Sequence, residues 1–126
     1  MSFLPLRDRE YLESRGIQYE EIDTGGHKAI RIKSWQLPSG KYSAPAADVL
    51  ILLPAGYPDI QPDMFYTSPW LQLSAQGRYP KAADQPLSLA GVSWQRWSRH
   101  ASEWRPGRDG IWTMLKRVQY SLEVAE

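Results

Sequence analysis

The chain has no cysteine, and of all its absences this one removes the most chemistry. Without a thiol there is no disulfide framework, no thiolate metal site and no sulfur nucleophile. Histidine is nearly as scarce, with only His27 and His100. Two isolated imidazoles without Asp or Glu at ligand spacing do not make a metal site. No cofactor is implied either, because Gly25-Gly26 and Gly107 lack the Lys and Ser or Thr of a phosphate-cradling loop. An excess of one charge is missing too. Fifteen basic and fourteen acidic residues leave a formal net charge of +1, too little to draw the whole chain to nucleic acid or an anionic membrane. No apolar run approaches the ~18–20 residues that cross a bilayer, so no membrane partner is expected. The first residues, Met1 to Leu12, carry charges early and do not read as a secretory signal. A cytoplasmic protein is the expectation.

What is present is a globular composition rich in large aromatics. With 42% hydrophobic and 23% charged residues, residues 1–126 are expected to form a single domain. Six Trp and seven Tyr supply large contact areas with polar handles. Arg7 to Arg15 is helix-compatible, with Tyr11 and Leu12 apolar and Gly16 as its stop. Ile17 to Ile22 and Ala29 to Trp35 alternate around Thr24-Gly25-Gly26, which predicts a β-hairpin. The apolar run Asp48 to Leu53 predicts a central strand, and Met64 to Thr67 a short fourth one. From Ser68 to Gly91 no period is evident, which predicts a long ordered loop, with Trp70 and Leu71 expected to pack against the terminal helix. That helix is the clearest element: Ile111, Met114, Leu115, Val118 and Leu122 form one stripe, with Asp109 as the expected N-cap. The order is an α+β one, with an N-terminal helix, a four-stranded antiparallel meander, a long irregular segment and a C-terminal helix.

Several landmarks then occur in sequence. Leu52-Leu53-Pro54-Ala55-Gly56-Tyr57-Pro58 runs on to Pro62 and Phe65, and Trp104-Arg105-Pro106 precedes the terminal helix. Together these resemble the ubiquitin-conjugating (E2) superfamily. There, a core strand runs into a Tyr-Pro, a later Pro redirects the chain, and a Trp-x-Pro leads into a helix. The stretch Arg96-Trp97-Ser98-Arg99-His100, followed by Trp104-Arg105-Pro106-Gly107, is similar to the prokaryotic E2-like proteins in particular. The resemblance implies an E2-like fold and partners such as a ubiquitin-like modifier, an E1-like enzyme or a partner E2. It also exposes a gap. Nothing between Ser68 and Gly91 matches the family's His-Pro-Asn, and its nucleophilic Cys would fall near Arg96. A guanidinium stays protonated and is no nucleophile, so thioester transfer there is excluded. What remains is E2-like in shape, as in the enzyme-dead E2 variants that bind a modifier or an active partner.

Trp94 to Asp109 and the flanking Trp112 concentrate Trp94, Trp97, Trp104 and Trp112 with Arg96, Arg99, Arg105 and Arg108. Three readings stand side by side. The Trp rings roof a thin core while the Arg residues solvate its edge. Alternatively Arg96, Trp97, Arg99, Trp104 and Arg105 form a binding surface, with Trp70 from the loop, since Trp and Arg are enriched at interface hot spots. In the third, Ser98 (or Ser93) is an oxygen nucleophile with His100 as base and Asp109 or Glu103 as orienter, which would keep carrier chemistry as an oxyester. The Arg and Trp interleaving is not read as a nucleic-acid site, because Glu103 and Asp109 dilute it. An adaptor of unrelated function that shares the fold is the reading from a different class.

Overall fold

The computed structural model describes residues 2–100 and 103–126, so Ala101 and Ser102 of the Arg96–Gly107 stretch lie outside the described residues. Among the described residues the elements are α1 (Leu6–Ser14), β1 (Tyr19–Thr24), β2 (His27–Gln36), β3 (Ala46–Leu53), β4 (Phe65–Ser68), β5 (Gln85–Leu89), β6 (Val92–Trp97) and α2 (Ile111–Val124). The strands make one sheet in the order β1-β2-β3-β4-β6-β5, with every neighbouring pair antiparallel. The α+β class and the helix at each end agree with the expectation.

The four expected strands do form an antiparallel meander, β1-β2-β3-β4, but the sheet has six strands and not four. Part of the segment expected to be irregular, Ser68 to Gly91, is strand β5, and the chain returns as β6 between β4 and β5. The hairpin rests on a two-residue turn, Ala90-Gly91, with φ of 53° and 76°. Positive φ at both central positions matches the twist of the flanking strands, but Asn or Asp is the usual first residue there. Ala90 gives no such signal, so the turn reads as loop. Apolar Leu87 and Leu89 alternate with Pro86 and Ser88, and they pair across with Trp94 and Val92.

Pleating sends neighbouring residues to opposite faces, and both faces are apolar here. On one side Ile30, Ile32, Val49, Ile51, Phe65 and Trp97 meet the helices. The α2 stripe of Ile111, Met114, Leu115, Val118 and Leu122 is buried along its whole length, each side chain contributing roughly 2 kcal/mol. On the far side Ile22, Ala29, Leu50, Tyr66, Leu89 and Trp94 form a second cluster. Ile22 and Leu89 come from opposite edges of the sheet, which curls until its outer hairpins meet. The run Val49-Leu50-Ile51 is therefore continuous because β3 is covered on both faces.

The start of α2 corrects a second expectation. Gly110, not Asp109, is the N-cap, and its bare Cα matters: a Cβ there would lie 2.7 Å from both Asp8 Oδ1 and the Trp112 ring. The acceptor that a glycine cap lacks arrives from α1. Asp8, only 1% exposed, accepts the Ile111 N–H at 3.3 Å and the Tyr57 hydroxyl at 2.5 Å. One carboxylate thus joins α1, the loop after β3 and the N-terminus of α2, where a negative charge is favoured. Arg7 adds to the same joint by stacking over Trp112 at 5.2 Å and donating to the Gly107 carbonyl at 3.0 Å.

Burial raises the Asp8 carboxyl above its ordinary 3.8, against the opposing hydrogen bonds from Tyr57 and Ile111 and the charge of Arg7. A carboxyl raised on folding stabilises the fold fully below its unfolded value, and that contribution is lost as pH rises through the folded value. Denaturation of the wild type and Asp8→Asn between about pH 3 and pH 7 is expected to show the wild type losing stability relative to the variant as pH rises. A difference that stays flat, or moves the other way, contradicts this.

Candidate functional site

The floor of the site is built by one buried amide. Gln95 lies opposite Thr67 in the β4–β6 pairing, on the helix side of the sheet, and is fully buried. Its Oε1 accepts the Thr67 hydroxyl at 2.9 Å and the Leu71 N–H at 2.7 Å. Its Nε2 donates to the Leu71 carbonyl at 3.0 Å and the Ala83 carbonyl at 2.8 Å. The amide is saturated, with two bonds accepted and two donated. Thr67 Oγ1 also accepts the indole N–H of Trp97 at 2.9 Å. The irregular stretch between β4 and β5 is therefore pinned to the sheet at two points, and Ala82 then accepts the Ser98 N–H at 3.0 Å.

Beyond β6 the chain opens into a groove of about 440 Å³ against α2. Ser98, Arg99, His100 and Glu103 line one side, with Arg117 and Ser121 on the other. Ser98 and His100 share this groove, but no hydrogen bond joins them. His100 Nδ1 lies 2.6 Å from Asp63 Oδ1, both side chains being well exposed. Asp109 does not orient His100. Its carboxylate accepts the Arg105 N–H at 2.7 Å and the Thr113 hydroxyl at 3.0 Å, and the Arg105 N–H above all holds it below the ordinary carboxylate value. Glu103 lines the groove without a hydrogen bond to His100. The carboxylate beside His100 is thus Asp63, which sequence spacing missed because it lies in the loop before β4, far from His100 in the chain.

The tryptophans do not form one surface. Trp97 is fully buried, stacked on Phe65 at 5.4 Å between ring centres, so it belongs to the core and not to a binding face. Trp94 is fully buried in the far-side cluster, beneath the Arg31 guanidinium at 5.2 Å. Trp104 is half-buried, donates to the Pro58 carbonyl at 2.9 Å and packs on Tyr57, so the Tyr57-Pro58 and Trp104-Arg105-Pro106 landmarks meet in space. Pro62 is buried nearby in the chain and Pro106 is exposed in the turn before α2. Trp112 rests on Tyr11 of α1. Trp70 does not join the terminal helix: it donates to the Ser93 carbonyl at 3.0 Å and meets the Tyr79 ring edge-on. Leu71 does reach the helix-side core.

The arginines divide in the same way. Arg96 sits opposite Tyr66 within β6, on the far face of the sheet, with its Nε buried and unbonded. The place where the resemblance puts a nucleophile is thus near the end of β6, on the face away from the groove. Arg105 is exposed and reaches Asp109 at 3.4 Å. Arg99 faces the groove, with its guanidinium over the Trp97 ring at 5.2 Å. Arg117 was not singled out by the sequence, where only its position on the polar flank of the α2 stripe marks it. Burial pulls both Arg99 and Arg117 below the usual guanidinium range.

Among the described residues no three His, Asp or Glu side chains are grouped to hold a metal ion, and no helix is long and apolar enough to cross a membrane. The sequence model of a family described as Prokaryotic E2 family E matches residues 4–125. No curated protein and no solved structure matches the chain.

Replacing Gln95 with Leu strands the Leu71 N–H, the Leu71 and Ala83 carbonyls and the Thr67 hydroxyl in the interior. Urea denaturation is expected to show a loss of about 3–5 kcal/mol, with Thr67→Val losing less. A loss below ~1 kcal/mol for Gln95→Leu would mean that the network does not carry the loop.

Proposed function

Because the chain belongs to prokaryotic E2 family E, we propose that it serves a prokaryotic ubiquitin-like conjugation system. Residues 1–126 act there as one E2-like domain that binds a ubiquitin-like modifier, an E1-like enzyme or a partner E2 without carrying the modifier on a thiol. The observation that carries this reading is the match over nearly the whole chain, coupled with a sequence that holds no cysteine. Arg96, within β6, adds support, because a permanently protonated guanidinium on the far face offers no acyl acceptor to a partner seated over the groove. The open groove beside Ser98 is the working face in this reading, and Arg99 is its principal polar contact.

One geometric feature favours a second reading, an enzyme that carries the modifier as an oxyester on Ser98. Ser98 and His100 line one groove, and Asp63 holds His100 by Nδ1, which leaves Nε2 for proton transfer. Ser98 Oγ would attack the activated C-terminal carbonyl of the modifier, forming an ester bond as the bond to the activating group breaks. The hydroxyl proton would pass to His100 and then to the leaving group. Against this, Ser98 and His100 are not hydrogen-bonded, and a serine hydroxyl needs a base within reach.

Incubation with the cognate E1-like enzyme, modifier and ATP separates the two. The binding reading predicts stable co-elution with at least one of these partners and no covalent adduct. A hydroxylamine-sensitive adduct that disappears in Ser98→Ala moves the assignment to the oxyester, and an adduct that survives in Ser98→Ala eliminates that alternative. Absence of any association at micromolar concentration overturns the conjugation reading itself.

A further inference from the structure

Arg99 and Arg117 approach the same groove from opposite walls, one from the segment after β6 and one from α2. Each guanidinium rests on an apolar group. Arg99 covers the Trp97 ring, and Arg117 contacts the Met114 sulfur at 3.1 Å. Arg99 donates one further bond, to the Ser98 carbonyl at 3.3 Å. Among the described residues neither forms an ion pair. The acidic groups that do pair are taken up elsewhere, Asp48 with Arg31, Asp63 with His100 and Asp109 with Arg105. Asp63 and Asp109 stabilise the Arg117 charge only from a distance.

A half-desolvated cation without a counter-ion is costly, and two on one groove are more so unless an anion completes them. The planar donor fork of arginine suits a carboxylate better than the point charge of lysine does. The charge of the groove selects the size of the anion. Of the lining residues, the two guanidinium groups and the Glu103 carboxylate leave one formal positive charge with His100 neutral. Asp63 and Asp109 close by reduce the field further, which suits a monoanion better than a doubly charged phosphate.

We propose that Arg99 and Arg117 form a clamp for the free C-terminal carboxylate of an extended polypeptide tail, holding that end beside Ser98 without covalent capture. This rests on the conjugation reading, in which such a tail is the end of the modifier. The clamp gives the domain a discrimination that a thiol carrier lacks. A free terminus carries the charge the clamp needs, whereas a terminus converted to a thioester has lost it. The domain therefore holds the modifier as the free acid and lets it go once it is a thioester.

The test uses the full chain and a fluorescein-labelled peptide ending in Gly-Gly with a free carboxylate, beside the same peptide ending in an amide. Fluorescence anisotropy is expected to show the acid binding about tenfold more tightly than the amide. Arg99→Gln and Arg117→Gln should each remove most of that preference, and Arg99→Lys and Arg117→Lys should keep part of it, with circular dichroism confirming that each variant is folded. Equal binding of acid and amide, a preference untouched by both Gln variants, or inorganic phosphate competing more strongly than free acetate overturns the clamp. If the cognate modifier associates with the chain but amidating its terminus changes nothing, the clamp fails and the conjugation reading stands. If the peptide preference is present but no modifier, E1-like enzyme or partner E2 associates, the clamp stands and the conjugation reading fails.

Discussion

A single side-chain amide holds the groove end of this molecule together. Gln95 uses all four of its hydrogen-bonding positions inside a dry core, on Thr67, on Leu71 twice and on Ala83. Such a group is stabilising only when complete, because each vacancy leaves a buried polar partner unpaired. Its completeness helps sixteen residues of irregular chain, 69–84, lie against the sheet with only isolated bridges, from Leu73 to Tyr42 and to Arg78, in place of a ladder. The same amide fixes the facing of β6. With Gln95 and Trp97 turned to the helices, Trp94 and Arg96 are turned to the far side, and the chain leaves the strand with Ser98 at the mouth of the groove.

A second polar joint does for the helices what Gln95 does for the loop. Asp8 supplies the helix-capping acceptor that Gly110 cannot, and it ties Tyr57 into the same corner. The corner then receives Trp104 through the Pro58 carbonyl. Two buried polar centres, one at each end of the helix-side core, thus position the segment between β6 and α2. That segment carries the chemistry-bearing residues. The groove it forms with α2 is open and is lined by Tyr120 and Val124 as well as by charged residues, and among the described residues its two arginines form no ion pair.

Much of this was legible in the residues and some was not, for identifiable reasons. The α2 stripe and the run at Asp48–Leu53 were plain because burial imposes a period on apolar residues, and each of the five stripe residues is buried. The Tyr57-Pro58 and Trp104-Arg105-Pro106 landmarks were legible as order in the chain, and the fold brings them into contact. The β5–β6 hairpin was hidden by Ala90, which holds a positive φ that its type seldom adopts. The cluster of Trp and Arg looked like one surface because the residues are close in sequence. Strand alternation distributes Trp94 and Trp97 to opposite faces, a separation that composition cannot express. Asp63 and Arg117 were invisible for the converse reason: each meets the site from a remote element, and no local spacing announces such a meeting.

The central proposal is that a thiol-free E2-like domain works through the groove between Ser98 and α2. The most direct measurement is a titration of the isotopically labelled chain with its cognate ubiquitin-like modifier, followed by backbone amide shifts. The largest changes are expected on Ser98, Arg99, Arg117 and Ser121. Changes confined to the far face around Ile22, Leu87 and Val92, or to α1, with the groove silent, would contradict it.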